Sequence, residues 1–466
     1  MDIQVKPDGK TSLYVSKAKF ISPGLSLDAT KTQVKSNSGI IISWSILVEA
    51  EGRYQVSLNL SACGDAEAFV CAGYDRINLQ INPTRGYFNS PGLNFECLEF
   101  EKPIKLARGR NELLLTVKNN PETSISVSSV ELYPESHLGI RMLEEAEARK
   151  SMANVNRYSK KGYGMMFHWT GETCPREGEP KNYELAVRDF DAEEFARQIE
   201  RVGASYVFFT ANHAVRHFPA PLPEWEKYYP GYTTKRDLLE DLYHSLSKRG
   251  IDLMLYLNFT AAYLESPYSG ITSDNKGVID YTKLDVSRRE HFTRCCIDIL
   301  NGIGGRYGKK ISGYWIDSCY QLDQQFDGYN FKAIYESAKT GNPDRIVSFN
   351  YWILPVSTPW MDFWAGETAR LTNIPGEAVP TYGPAKGHTF HELIIMENSW
   401  GHFEKNIPIP DPYYSADELA AFTRAVCGNG GMFTINAEVY QDGTMGEKTI
   451  DVLVKTKEIL VKKQAL

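Results

Sequence analysis

Two short apolar runs in this chain end in a carboxylate. Ile311-Ser-Gly-Tyr-Trp-Ile-Asp317 stops abruptly in an acid, and fifty residues later Met361-Asp-Phe-Trp-Ala-Gly-Glu367 repeats the design. Each acid lies close behind a tryptophan, Trp315 and Trp364. Two carboxylates flanking one acetal carbon can divide glycoside cleavage between them, one attacking the anomeric carbon and the other protonating the departing oxygen. Aromatic rings beside them can stack on the apolar faces of sugar rings. Asp317 is therefore the candidate nucleophile. Glu367 is the candidate acid/base, because partial burial against Trp364 would raise its pKa. Spacing alone leaves open a helix N-cap at Asp317 and a solvated loop acid at Glu367. Carboxyl groups about 5 to 5.5 Å apart would give retention, and a wider gap inversion.

Such acids need elements that deliver them to one place. From residue 161 onward strand and helix signals alternate, the pattern of parallel β/α units. Candidate strands are Gly164 to Trp169, Ser205 to Ala211, Ile251 to Asn258, Ile311 to Asp317, Arg345 to Asn350, Met361 to Trp364, Leu393 to Glu397 and Gly431 to Asn436. Eight strands can close a (β/α)8 barrel of the TIM type. Helices lie between them, such as Ala192 to Val202 behind an Asp191 N-cap and Lys235 to Arg249 stopped by Gly250. The last helix is expected to run to Leu466.

Several strands end in polar side chains: His168, Asn258, Asp317, Asn350, Glu397 and Asn436. The interior of a filled barrel is apolar, so polar residues collected at one set of strand ends mark its functional face. The expected substrate-binding set is His168 and Trp169 after the first strand, Asn212 and His213 after the second, Tyr256, Trp315, Asn350, Glu397 and Trp400. Side chains that hydrogen-bond particular sugar hydroxyls discriminate between epimers. His391 and Glu392 are lesser candidates. No HxH, HxxE or HExxH spacing supports a metal site, and no cofactor is expected.

In front of the barrel, residues 1–136 read as short alternating strands such as Gly39 to Val48, Gly52 to Leu60 and Asn111 to Lys118, the pattern of an antiparallel β-sandwich of jelly-roll type. Residues 137–160 form a linking helix and 161–466 the barrel, which makes a multidomain α/β plus all-β chain.

Composition narrows the partners. The chain has 466 residues, 42% hydrophobic and 23% charged, with a net charge of -7. That is ordinary for a globular protein, and without a basic block it argues against nucleic acid. No apolar run reaches the ~20 residues of a membrane span. The N-terminus lacks a signal-peptide pattern, which fits either a cytoplasmic enzyme or a periplasmic or secreted one whose leader has been removed. The eight cysteines show no zinc-like spacing, and a disulfide among Cys63, Cys71 and Cys97 stays open.

A family resemblance joins these pieces. Gly164-Met-Met-Phe-His-Trp-Thr-Gly, Phe190-Asp-Ala-Glu-Glu-Phe-Ala, Tyr206-Val-Phe-Phe-Thr-Ala-Asn-His, Lys235-Arg-Asp-Leu, Tyr314-Trp-Ile-Asp317, Asn398-Ser-Trp-Gly, Gly430-Gly-Met-Phe-Thr-Ile-Asn and Asp442-Gly-Thr-Met follow one another over roughly residues 160 to 460. In this order they resemble glycoside hydrolase family 29, the alpha-L-fucosidases. The resemblance implies a retaining, metal-free mechanism, with Asp317 as nucleophile, Glu367 as acid/base, and His168, His213 and Trp315 around the sugar. It also marks departures. Family members often carry Lys-His-His-Asp-Gly after the second strand, where this chain has Asn212-His213-Ala214-Val215. The loop after the first strand has no clear Glu-Trp, only Glu172 and Glu184 nearby. The sandwich precedes the barrel instead of following it and looks like a carbohydrate-binding module or a structural cap.

The expected function is a retaining exo-acting alpha-L-fucosidase acting on fucosylated oligosaccharides. The alternatives are a hydrolase of another glycone, such as an alpha-L-galactoside, and a catalytically silent glycan-binding protein. Linkage and oligomeric state are not legible.

Overall fold

The computed structural model of the chain describes residues 2–29, 31–90, 92–213, 215–264, 286–325 and 329–462. It divides into two compact units. The first comprises Met1–Ser151 with Ile353–Pro359 and Pro380–Gly387, and the second Met152–Trp352, Trp360–Val379 and His388–Leu466. The helix Leu138–Ser151, expected from sequence to be part of a linker, thus belongs to the first unit. All eight cysteines are free thiols, Cys63, Cys71 and Cys97 included. Among the described residues no helix is long and apolar enough to cross a membrane.

The first unit is built on two six-stranded sheets. One runs Ile3–Val5, Ile40–Val48, Gly109–Asn119, Ala66–Ala72, Asp75–Ile81, with Lys19–Phe20 also on Ile40–Val48. The other runs Ile104–Leu106, Gly52–Ala62, Ile125–Pro134, Thr11–Tyr14, with Val34–Ser36 and Glu96–Glu99 added at its sides. Period-two patterning makes the core: Ile42, Trp44, Leu113 and Leu115 from one sheet meet Val56, Leu58, Val130 and Leu132 from the other in a single buried cluster. Each such aliphatic side chain contributes roughly 1.5–3 kcal/mol on full burial. Trp44 also ties the sheets by a hydrogen bond, its indole N–H donating to the Tyr14 carbonyl at 2.9 Å.

The second unit holds one parallel sheet of eight strands. In chain order these are Gly164–Phe167, Tyr206–Thr210, Asp252–Leu257, Ile311–Ile316, Ile346–Phe349, Glu367–Ala369, His391–Ile395 and Met432–Asn436. Their order across the sheet is fifth, fourth, third, second, first, eighth, seventh, sixth. The sheet curls, because Met166, Phe208, Met254, Trp315, Ile346, Leu393 and Met432, from seven different strands, fall into one buried cluster.

Helices follow the sequence signals. Ala192–Val202 starts at Asp191, whose carboxylate accepts from the N–H groups of Glu193 and Glu194, and stops at Gly203 in the left-handed conformation (φ 85°). Leu238–Ser247 is shorter than the expected Lys235 to Arg249 because Asp237 takes the cap position, accepting from Glu240 N. The final helix is Glu447–Lys462, and its expected continuation to Leu466 falls outside the described residues.

The sixth strand corrects the sequence reading. It is Glu367–Ala369, not Met361 to Trp364. The earlier segment is instead a seam: Asp362 N donates to Val347 O at 2.8 Å on one side, and Trp364 N to Thr389 O at 2.9 Å on the other. Asp362 is buried and its carboxylate accepts from Ala153 N (2.8 Å), Tyr335 OH (2.7 Å), Lys339 Nζ (2.7 Å) and Val347 N (2.6 Å). A side chain that replaces ladder hydrogen bonds in this way keeps the segment out of regular pairing while still fixing it.

Candidate active site

The register of three neighbouring strands brings the first polar residues together. Leu257 pairs with Ile316 and Ile316 with Phe349, so the residues that follow, Asn258, Asp317 and Asn350, come out side by side. Backbone bonds hold that alignment past the strand ends, with Asp317 N on Leu257 O and Asn350 N on Ile316 O, both at 2.8 Å.

Asp317 is half-buried and surrounded by donors. Its Oδ1 accepts from Asn350 Nδ2 at 2.7 Å, and its Oδ2 from Asn258 Nδ2 at 3.3 Å and from the Tyr256 hydroxyl. The Asn258 amide is oriented by Thr260, whose hydroxyl donates to Asn258 Oδ1 at 2.6 Å. Burial, and then the charge of Asp317, pushes the Tyr256 phenol well above its usual range, so it stays a donor.

Glu367 stands across from Asp317 on the same amide. Asn350 Nδ2 donates to Glu367 Oε2 as well as to Asp317. Two oxygens sharing one donor are at most two hydrogen-bond lengths apart, about 6 Å. Asn350 is fully buried and its orientation is set by Trp352 N, which donates to Asn350 Oδ1 at 2.8 Å. Burial raises the Glu367 pKa to about 8, helped by the negative charge of Asp317 and opposed by the Asn350 bond. At neutral pH the pair thus has one acid that keeps its proton.

Backbone strain gathers here. Ser318, Trp352 and Ala369 all have positive φ (63°, 53° and 60°) and lie within two residues of Asp317, Asn350 and Glu367 respectively. Gly366 (φ 61°) has no alternative, since a Cβ there would sit 1.9 Å from the His391 carbonyl oxygen.

Beside the acids lies an aromatic group. The His168 ring is 4.7 Å from Tyr256, 5.3 Å from His213 and 5.3 Å from Trp400. Asn436 Nδ2 donates to Trp400 O at 2.9 Å, which leaves its Oδ1 to accept from His168 Nδ1 at 2.8 Å. His168 therefore carries its proton on Nδ1 and keeps Nε2 as an acceptor. Burial, with His213 beside it, lowers its pKa to about 3 and holds it neutral. His213 is also shifted down by burial, against the opposing charges of Asp317 and Glu172.

The family model described as Alpha-L-fucosidase matches residues 130–462. The chain belongs to the alpha-L-fucosidase family. That makes it an enzyme of the glycoside hydrolase class. Among solved structures it is similar to an alpha-L-fucosidase from Bacteroides thetaiotaomicron, at 17% identity over 66% of this chain and 73% of that one, with a TM-score of 0.47. It is also similar to an alpha-L-fucosidase from Lactobacillus casei in complex with alpha-L-fucose product, at 15% identity over 67% and 99% with a TM-score of 0.46. A third is an endo-fucoidan hydrolase of glycoside hydrolase family 107, at 14% identity over 67% and 95% with a TM-score of 0.48. No curated protein matches the chain.

In this fucosidase-family chain, the residues proposed from sequence divide into two groups. Asp317, Glu367, Asn350, Tyr256, His168, His213 and Trp400 come together. The others do not join them. Trp315 is buried one level below, packed against Phe208 and His391 in the sheet interior. Asn212 stands behind the site, its amide accepting from Asn258 N (3.1 Å) and donating to Asn258 O (2.6 Å). Trp169 turns the opposite way from His168, into Phe190, Phe209 and Tyr183, with its indole N–H on Gln441 O at 2.9 Å. Glu397 is fully buried against Glu438 N and the Thr449 hydroxyl. His391 is likewise interior, between Ala365 O and the Thr434 hydroxyl, and Glu392 bonds Thr372.

Two residues with a place in the site, Asn258 and Asn436, stand out in the sequence only as polar strand ends. Each orients a more conspicuous neighbour. Glu172, whose charge reaches His213, sits in an exposed loop and is visible in the sequence only as one of two acids near the place of the missing Glu-Trp.

Proposed function

We propose that the chain is a retaining, exo-acting alpha-L-fucosidase. In the first step an Asp317 oxygen attacks the anomeric carbon as the glycosidic C–O bond breaks, and Glu367 gives its proton to the departing oxygen. In the second, Glu367 takes a proton from water, the water oxygen bonds to the same carbon, and Asp317 leaves as carboxylate. The observation that carries this reading is the Asn350 amide shared between the two carboxylates, which keeps an oxygen of each within about 6 Å of the other and so favours a retaining pair over the wider gap of an inverting one.

The proton exchange follows from the electrostatics. Two charges about 5.5 Å apart interact by roughly 3 kcal/mol at an effective dielectric near 20, which is about two pKa units. Asp317 raises Glu367 by such an interaction while it is charged. Once Asp317 is esterified the charge is gone, Glu367 becomes a stronger acid, and its carboxylate is ready to act as base. Tyr256 and Asn258, both on Oδ2 of Asp317, would stabilise the returning negative charge as the ester breaks. His168 Nε2 would accept a sugar hydroxyl, and Trp400 would offer a ring face.

The curled parallel sheet supports a (β/α)8 barrel reading, closed through the Met361 to Trp364 seam. The two sheets of the first unit support a jelly-roll sandwich. A panel of aryl glycosides tests the activity: turnover of the alpha-L-fucoside supports it, faster turnover of the alpha-L-galactoside reassigns the glycone, and binding without turnover of either contradicts it.

A further inference from the structure

Trp400 stands on the loop that follows the seventh strand, and a carboxylate from beyond the eighth strand grips that loop on both sides of it. Glu438 Oε1 accepts from Ser399 N at 3.1 Å, and Glu438 Oε2 from His402 Nδ1 at 3.2 Å. Trp400 and Gly401 lie between the two contacts. Glu438 and His402 are both buried. Among the described residues no strand or helix lies between His391–Ile395 and the helix Ala416–Gly428, so no ladder fixes this segment and side chains supply the partners that its backbone needs.

The carboxylate has a fixed root. Met396 N donates to Asn436 O at 2.8 Å, Ala437 N to Met166 O at 3.1 Å, and Glu438 N to Glu397 Oε2 at 3.0 Å. These bonds tie the Glu438 backbone to the ends of the first and seventh strands. Glu397, held by the Thr449 hydroxyl, is thus the seat of the acid that holds the loop rather than a ligand of the sugar. Two more bonds meet the same segment: Asn436 Nδ2 on the Trp400 carbonyl at 2.9 Å and Cys174 N on the His402 carbonyl at 2.8 Å. Gly401 passes so close to the first strand that a Cβ there would lie 2.6 Å from the His168 carbonyl oxygen. The Trp400 ring comes to rest 5.3 Å from the His168 ring.

We propose that Glu438 is a positioning residue for substrate binding: with His402 it clasps the segment 399–402, so that the Trp400 ring stands as a fixed wall of the pocket for the sugar ring to pack against. The proposal rests on the fucoside reading of that pocket. A ring already in place costs no ordering when the sugar binds, whereas a loose one loses that much affinity. A wall that touches substrate and transition state alike affects KM and leaves kcat alone.

The test uses the full chain and two readouts: the Kd of L-fucose by calorimetry, and kcat and KM on nitrophenyl alpha-L-fucoside, whose leaving group departs without a proton and so does not call on Glu367. Glu438→Ala should raise both Kd and KM roughly tenfold, the order of one aromatic contact, and leave kcat within about twofold of wild type. Glu438→Gln keeps the length of the side chain and an acceptor, and should recover most of the loss. In a Trp400→Ala background Glu438→Ala should add nothing, because the residue acts through that ring. Should Glu438→Ala not fold, His402→Phe keeps a ring and removes the Nδ1 donor; it opens one end of the clasp and is read in the same way. Unchanged Kd and KM, a loss in kcat alone, or losses that multiply in the double variant overturn the proposal. A wild-type chain that neither binds L-fucose nor turns over its glycoside overturns the reading of the pocket itself, and does so before any variant is compared.

Discussion

The Nδ2 of Asn350 lies 2.7 Å from Oδ1 of Asp317, and the same nitrogen donates to Glu367. One buried amide thus sets the distance between the two candidate catalytic carboxylates. Replacing it by alanine should lower kcat/KM about 100-fold, the usual cost of a lost preorganised donor. The Asn350 bond pulls the Glu367 pKa down, so its loss should also move the alkaline limb of the pH profile upward. An Asn350→Ala variant with an unchanged profile would mean that the amide does not govern Glu367.

The pH dependence of the wild-type enzyme should follow from Glu367 as the proposed acid. Its pKa is raised to about 8 by burial and by Asp317, and the proposed first step needs the protonated form. Cleavage of a methyl fucoside should therefore decline as pH rises through about 8. A nitrophenyl fucoside should show a weaker decline in kcat/KM, and Glu367→Gln should abolish the difference in pH response between the two substrates.

Stability should fall over part of the same range for an unrelated reason. Burial raises Glu392 to about 8 and Glu397 to about 8, above their unfolded value near 4.5. The folded state then binds more protons than the unfolded one, so the contribution is fully present below the unfolded pKa and is lost as pH rises through about 8. Glu392→Gln keeps a neutral side chain beside Thr372. Urea unfolding of this variant should show a shallower decline between about pH 5 and pH 8 than wild type, by on the order of a few kcal/mol.

Asp362 should matter to folding more than to chemistry. In a buried position it satisfies four donors at once, among them the Lys339 ammonium. Asp362→Ala removes the counter-charge of that buried ammonium, which keeps its bond to the Arg345 carbonyl, and takes an acceptor from two backbone N–H groups; it should cost about 3–5 kcal/mol. Thermal unfolding would report it as a large drop in midpoint; a drop of about a degree or less would show that the seam holds without it.

How much of this was legible in the sequence depends on the range of the interaction. Seven of the eight parallel strands and their helix caps are local signals, and they are readable in order. Asp317 is readable because a carboxylate closing an apolar run seldom serves packing. The sixth strand is not, because Met361 to Trp364 has the apolar pattern of a strand, while the partner that makes it a seam, Asp362 with Val347 and Lys339, is a tertiary matter. Glu397 has the look of a strand-end acid, but Thr449, fifty-two residues on, encloses it. Trp169 is excludable without a structure, since adjacent residues of an extended segment point to opposite faces and His168 takes the pocket side. The two segments that belong to the first unit, Ile353–Pro359 and Pro380–Gly387, are marked as loops by their Pro and Gly residues, but nothing in their composition says which unit they join.

The most direct test of Asp317 as nucleophile is to trap the intermediate. A 2-deoxy-2-fluoro-L-fucosyl fluoride, which slows the second step, should leave the protein heavier by one fluorofucosyl group, and peptide mapping should place that group on Asp317. Label on any other residue, or a fully active Asp317→Ala variant, would contradict it.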